Sequence, residues 1–249
     1  MAFYGGGFPE YVPVAERKAR AQKSVEKLRK TNPNLAPVVL TGTKLVSTWW
    51  GKSWTDNLTH YSDYSNRIAR GRSYIRHGAV LDLQLTPGKV HALVQGSDTK
   101  PYQVELSIKP LSKAAWAAIV KACTGKLNSL QELLEGKFPA ALADLFQLQG
   151  KGLFPGSRDI TLHCSCPDSA RMCKHVAAVL FGIGVRLDDD PGLFFQLRQV
   201  NVAELITETT REQSQNLLNK SKVKSRRVIA DADMSSLFGI DLETDDEDK

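Results

Sequence analysis

The sequence predicts an α+β fold: an antiparallel sheet with flanking helices, followed by a small hairpin-and-helix that carries cysteine and histidine. Three observations predict it. Between residues 79 and 108 apolar and polar residues alternate, the period of half-buried strands. On either side apolar residues recur at three- and four-residue spacing, the period of helices with one packed face. Finally, three of the four cysteines fall within Cys164–Cys173, with His175 just beyond.

Residues 1–47 read as an extended, basic N-terminal segment punctuated by Pro9, Pro13, Pro33 and Pro37. Within it the basic stretch Arg17–Lys30 has only a thin apolar stripe (Ala15 just before it, then Ala19, Val25 and Leu28), which fits a solvated helix better than a nucleic-acid arm. Residues 48–150 form the α+β domain. Trp49, Trp50 and Trp54, then Leu58, Tyr61, Tyr64 and Ile68, keep helical spacing, and the tryptophans suit a packing face better than a base-stacking platform. Ala79–Leu85 and Lys89–Gln95 flank Pro87-Gly88 as a hairpin, and Tyr102–Ile108 alternates as a third strand. Ser112 is positioned to cap a helix over Lys113–Cys123 that Gly125 stops, with Cys123 a buried apolar residue. Further helix is expected through Leu130, Leu133, Leu134 and Phe138 and again over Pro139–Gln147.

Residues 151–206 hold a glycine-rich loop, a short strand at Asp159–His163, the ligand run, and an apolar helix-competent stretch, Val176–Gly184, that its glycines end. Residues 207–249 read as a disordered tail with a basic block, Lys220–Arg227, an apolar island and an acidic end.

Charge sharpens the picture. The net charge is +6, but Asp231–Lys249 holds eight acids and one lysine, a net of −7, which leaves +13 on the rest. A body that basic is an electrostatic partner for nucleic acid. No apolar run approaches the roughly 20 residues of a membrane span, and the N-terminus has no signal-peptide pattern. An intracellular, cytoplasmic protein is expected, with nucleoid association compatible with its charge.

The run Cys164-Ser-Cys166, six residues, then Cys173-Lys-His175 has the composition of a structural zinc site. Side chains two apart on a strand face the same way, so Cys164 and Cys166 can reach one ion. Positions two apart on a helix diverge by roughly 200°. Cys173 is therefore expected at or before a helix start, with His175 in the first turn. His163 projects to the opposite strand face. Three thiolates, a neutral imidazole and Zn2+ sum to −1, which Arg171 and Lys174 can compensate, or they can touch phosphate. With four protein ligands no position is left for a reactive water.

This pattern resembles the SWIM zinc finger, named for bacterial Swi/Snf-type ATPases, plant transposase-related proteins and a eukaryotic kinase. The run from Cys164 to Arg198 is similar to bacterial SWIM proteins that accompany a Swi/Snf-type helicase of the DEAD/DEAH superfamily. Trp49–Trp54, Arg70–Arg76, Gly96-Ser97 and Pro101-Tyr102 are similar to the same proteins. The spacer Ser169–Met172 departs from the expected pattern, which has a bulkier residue after Asp168. The resemblance implies a non-enzymatic adaptor for DNA or protein contacts, with a Swi/Snf-type helicase ATPase as partner.

Nucleic-acid candidates are Arg67, Arg70, Arg72 and Arg76, with Tyr64, Tyr74 and His77 interleaved, together with Arg171 and Lys174. A solvated basic face explains the arginine patch equally well. The island Met234, Leu237, Phe238, Ile240 and Leu242 suits docking to a protein groove. Gly51-Lys52-Ser53 is no phosphate loop, because position 46 is Val. Asp188–Asp190 suits a helix-start loop better than a metal site. No catalytic residue is assigned. Besides the adaptor, an autonomous nucleic-acid binder and, more weakly, a metal-dependent enzyme on nucleic acid remain open.

Overall fold

A computed structural model of the chain describes residues 12–123, 147–148 and 152–221. Four strands form one antiparallel sheet in the order β1 (Val80–Thr86), β2 (Lys89–Val94), β3 (Tyr102–Ile108), β4 (Ile160–Cys164). The first three form the expected meander, with Thr86 opposite Lys89 across the Pro87-Gly88 turn and Gly88 at φ +70°. β2 buries Val90, Ala92 and Val94, and β3 buries Val104, Leu106 and Ile108, one residue in two, so a single face meets the core. The ligand-bearing β4 pairs with β3 from Val104↔Cys164 to Ile108↔Ile160. That pairing crosses the expected 150/151 boundary, as does the continuous core.

Helices cover the buried face. They are α1 (Val14–Arg29), α2 (Trp49–Asn57), α3 (Ser65–Arg76), α4 (Lys113–Cys123), α5 (Lys174–Asp189), α6 (Gly192–Leu197) and α7 (Val202–Ser221), and a 3-10 turn, Leu58–Tyr61, follows α2. α1 buries only Ala21, which agrees with the thin stripe; Ser24 Oγ donates to Gln95 Oε1 at 2.8 Å to tie it to the sheet end.

α5 is the centre of the molecule. It touches all four strands on one side and α2, α3 and α6 elsewhere. An apolar helix buried nearly all round needs neighbours on every side. Gly182 and Gly184 do not end it, contrary to the sequence expectation. A Cβ on Gly182 would lie 3.1 Å from Leu83 Cδ2, and one on Gly184 3.1 Å from Trp54 Cδ1. Both glycines bring neighbours close, and this contact outweighs their poor helix propensity. α3 crosses α5 at Gly71, where an added Cβ would stand 2.4 Å from Ala177 Cβ and 2.8 Å from its carbonyl carbon.

The tryptophans are core. Trp50 Nε1 donates to the Leu187 carbonyl and Trp54 Nε1 to the Leu180 carbonyl, each at 2.8 Å, so neither buried indole is left unpaired. Thr48 caps α2. Asp188 accepts from the backbone N–H and hydroxyl groups of Ser47 and Thr48. Asp190 accepts from Gly192 N–H at 2.8 Å at the entry to α6. Asp188 and Asp189 thus end α5, and only Asp190 lies in the expected helix-start loop. Ser112 Oγ accepts from Ala115 N–H and caps α4.

At the other end helix runs through Ser221, beyond the expected start of the tail at residue 207. Its first turns are held by tertiary contacts, with Leu205 buried and Glu204 accepting from Trp116 Nε1 at 2.6 Å. The helices expected through Leu130–Phe138 and over Pro139–Gln147 (Gln147 apart), the partner island at Met234, Leu237, Phe238, Ile240 and Leu242, and the acidic end lie outside the described residues.

The α3–α5 crossing yields a direct test. Gly71→Ala should lower stability by about 1–3 kcal/mol, because neither backbone can withdraw without cost. Gly42→Ala, with nothing within 4 Å of the added carbon, should change it little. Urea unfolding of the zinc-loaded protein measures both; an unshifted midpoint for Gly71→Ala would sink the close-packing account.

Candidate metal centre

The ligands arrive from two elements. β4 ends at Cys164, and the turn after it is clamped to β3: Ser165 N–H donates to the Gln103 carbonyl, and Gln103 N–H donates to Ser165 Oγ, each at 2.9 Å. Cys166 follows, two residues on. Asp168 Oδ1 accepts from Ala170 N–H at 3.2 Å and turns the spacer back. Asp63, just before α3, then accepts from Arg171 N–H at 2.8 Å and Met172 N–H at 3.4 Å. Cys173 is the N-cap residue of α5, its Sγ accepting from Val176 N–H at 3.5 Å, and His175 sits in the first turn. The two-residue spacing is thus resolved as geometry requires.

The ligand atoms of Cys164, Cys166, Cys173 and His175 all lie within 4.8 Å of one another. His175 Nδ1 is 3.8 Å from Cys164 Sγ and 3.9 Å from Cys173 Sγ. A zinc tetrahedron with bonds of about 2.0–2.3 Å places ligands about 3.5–3.8 Å apart, so the set fits with little contraction. Three thiolates and an imidazole suit zinc chemically. The imidazole is held by rings: Tyr102 stacks on it at 4.5 Å and Tyr74 meets it edge-on at 5.4 Å. Its Nε2 is buried and has no hydrogen-bond partner among the described residues. Aromatic packing therefore takes the orienting role that a carboxylate often fills.

The thiols do not ionise alike. The Cys164 thiol donates to Cys173, which brings the Cys173 thiol down to about 4 against burial, with help from His175 and Val176 N–H. Cys164, holding the shared proton in a partly buried place, is pushed up, and burial pushes Cys166 up. A dication is what removes the remaining protons together.

The structure divides the basic candidates. Arg67 is committed to Asp168 at 3.2 Å with both side chains about four-fifths buried, so it braces the spacer. Arg171 Nη2 donates to the Ser157 carbonyl at 2.6 Å. Arg70, Arg72 and Arg76 are exposed on α3. Arg72 and Arg76 are four apart and share one face, whereas Arg67, Arg70 and Tyr74 follow another. The Arg72 guanidinium lies 5.4 Å over the Phe181 ring, and Lys174 Nζ lies 5.9 Å from the Tyr74 ring. Sequence reasoning missed Asp63 and Asp168 as braces of the ligand loop. Only the Asx-turn propensity of Asp168 was a local signal.

Residues 148–181 match the SWIM zinc finger family. The uncharacterized protein Rv2102 of Mycobacterium tuberculosis is 38% identical over 148 residues, which cover 59% of this chain and 53% of the relative. The chain thus spans about half the length of the curated relative it matches. No solved structure matches.

Two outcomes follow. Because Cys164 and Cys166 hold their protons near neutrality, zinc displaces about two protons, and affinity should rise by about two orders of magnitude per pH unit below the thiol range. Chelator competition between pH 6 and 8 measures this; a pH-independent affinity would contradict it. Chelation, or Cys173→Ser, should also unfold at least the ligand loop and the start of α5. Circular dichroism and limited proteolysis with confirmed zinc loss test that, and unchanged digestion would reject a structural role.

Proposed function

We propose that this chain is a zinc-dependent, non-enzymatic adaptor that contacts nucleic acid, DNA in the first place, and protein, working beside a Swi/Snf-type helicase ATPase in the cytoplasm or on the nucleoid. The observation that carries the nucleic-acid half is the placement of Arg70, Arg72 and Arg76, exposed on the helix that crosses the finger's own helix. Such a basic surface, on a body of net +13 outside the acidic end, suits phosphate contacts. The finger supplies rigidity: its four protein ligands saturate the ion and hold α5 in place, which argues for a scaffold over hydrolysis. The helicase half rests on the resemblance of Cys164–Arg198 and of the Trp49–Trp54 and Arg70–Arg76 segments to helicase-associated proteins.

A native pull-down of the tagged protein with nuclease treatment, read by mass spectrometry, tests it. The expected outcome is a Swi/Snf-type ATPase that survives nuclease and is lost with Cys173→Ser. Nucleic acid without an enriched ATPase would replace the adaptor with an autonomous binder, whose affinity would fall steeply with salt and with Arg72→Ala or Arg76→Ala.

No described helix is long and apolar enough to cross a membrane.

A further inference from the structure

Behind the zinc-ligating imidazole lies a cavity of about 370 Å³ that the arginine patch of α3 alone does not define. Arg17 and Arg20 reach it from α1, Arg70 from α3 and Lys174 from the first turn of α5. Ser73 and Ser97 add hydroxyl groups, and Val12, Ala79 and the Tyr74 ring add apolar wall. No carboxylate is among its described lining residues. Of these, Arg20 is also paired with Glu16 at 3.3 Å, with both side chains about half exposed. Basic side chains from three elements thus line one space, a setting that attracts an anion. Burial, together with Arg17 and Lys18, brings the wall residue His77 below its ordinary pKa.

Size and chemistry together narrow the ligand. The volume falls in the range of small-ligand pockets, too large for a bare ion. Cations and hydroxyls suit a doubly charged phosphate, and the apolar wall suits a sugar and base. We propose that this cavity is a phosphate-monoester site that takes one nucleotide unit, free or as the phosphorylated end of a nucleic-acid strand. The strand form rests on the proposed nucleic-acid function; the free form does not. Gly96 lines the cavity and sits against His175, its added Cβ falling 2.9 Å from Nε2, so the occupant would lie directly behind a zinc ligand.

The test uses the full zinc-loaded chain and four probes in calorimetry and fluorescence anisotropy: a nucleoside, its 5′-monophosphate, and one short single strand with a 5′-phosphate or a 5′-hydroxyl. The monophosphate should bind and the nucleoside should not, and the 5′-phosphate should strengthen strand binding at least about tenfold. Arg17→Gln with Arg70→Gln should abolish both preferences at unchanged zinc content and circular dichroism, while Lys89→Gln, an exposed charge at the far end of the sheet, should not. Bound monophosphate should raise the His77 pKa in NMR titration. If the monophosphate binds but no strand does, the pocket takes free nucleotide and the nucleic-acid function fails instead. Strand binding blind to the end group, with no monophosphate binding and an unmoved His77, would overturn the pocket and leave that function standing.

Discussion

Everything in this molecule hangs from the corner where Cys173 caps α5 and His175 turns inward one residue after the helix begins. A helix buried nearly all round has little reason to start at one residue rather than the next, since apolar contact is non-directional. The ligand set supplies that reason. Once Cys173 must stand outside the helix and His175 inside its first turn, the phase of α5 is set. Ala177 then faces Gly71, the Leu180 carbonyl meets the Trp54 indole, the Leu187 carbonyl meets the Trp50 indole, and Asp188 reaches the cap of α2. The three hydrogen-bonded contacts are directional, the Gly71 contact is steric, and each fails if the helix slips by one residue.

The loop that carries the ligands is held in an unexpected electrostatic manner. Asp63 and Asp168 stand close to a cluster whose zinc-loaded charge is −1, where like charge is unfavourable. Both carboxylates instead satisfy backbone N–H groups of the spacer, and Asp168 is neutralised by Arg67. Such a pair, mostly removed from water, depends on partner geometry far more than an exposed one does. Arg67 is therefore structural, although its neighbour Arg70, three residues on, faces open space.

Basic residues from three stretches of the chain thus fall into three roles by helical phase and distance. Arg67 and Arg171 are engaged by the chain itself, Arg72 and Arg76 form an outer face, and Arg70 joins Lys174, Arg17 and Arg20 around a cavity. Composition cannot separate these roles, because the charge is identical in each.

Much was legible in the residues. The four ligands, the position of Cys173 before a helix, the three-strand meander and the buried tryptophans follow from local rules: two-residue alternation, 3.6-residue periodicity and ligand chemistry. Other features were not. Nothing local in Ile160–Cys164 says that its partner is β3, and Gly182 and Gly184 read as helix stops until Leu83 and Trp54 are seen against them. Val202–Ser221 looks tail-like because its anchors, Trp116 and the core around Leu205, lie elsewhere in the chain. The basic cavity was equally invisible, its cations being contributed by three separate helices. The amino-acid sequence by itself determined what chemistry the chain carries and where the three meander strands and the ligand-bearing helix begin, since these depend on near neighbours. Only the tertiary structure decided which elements pair and which charges stay available, since those depend on contacts between residues far apart in the chain.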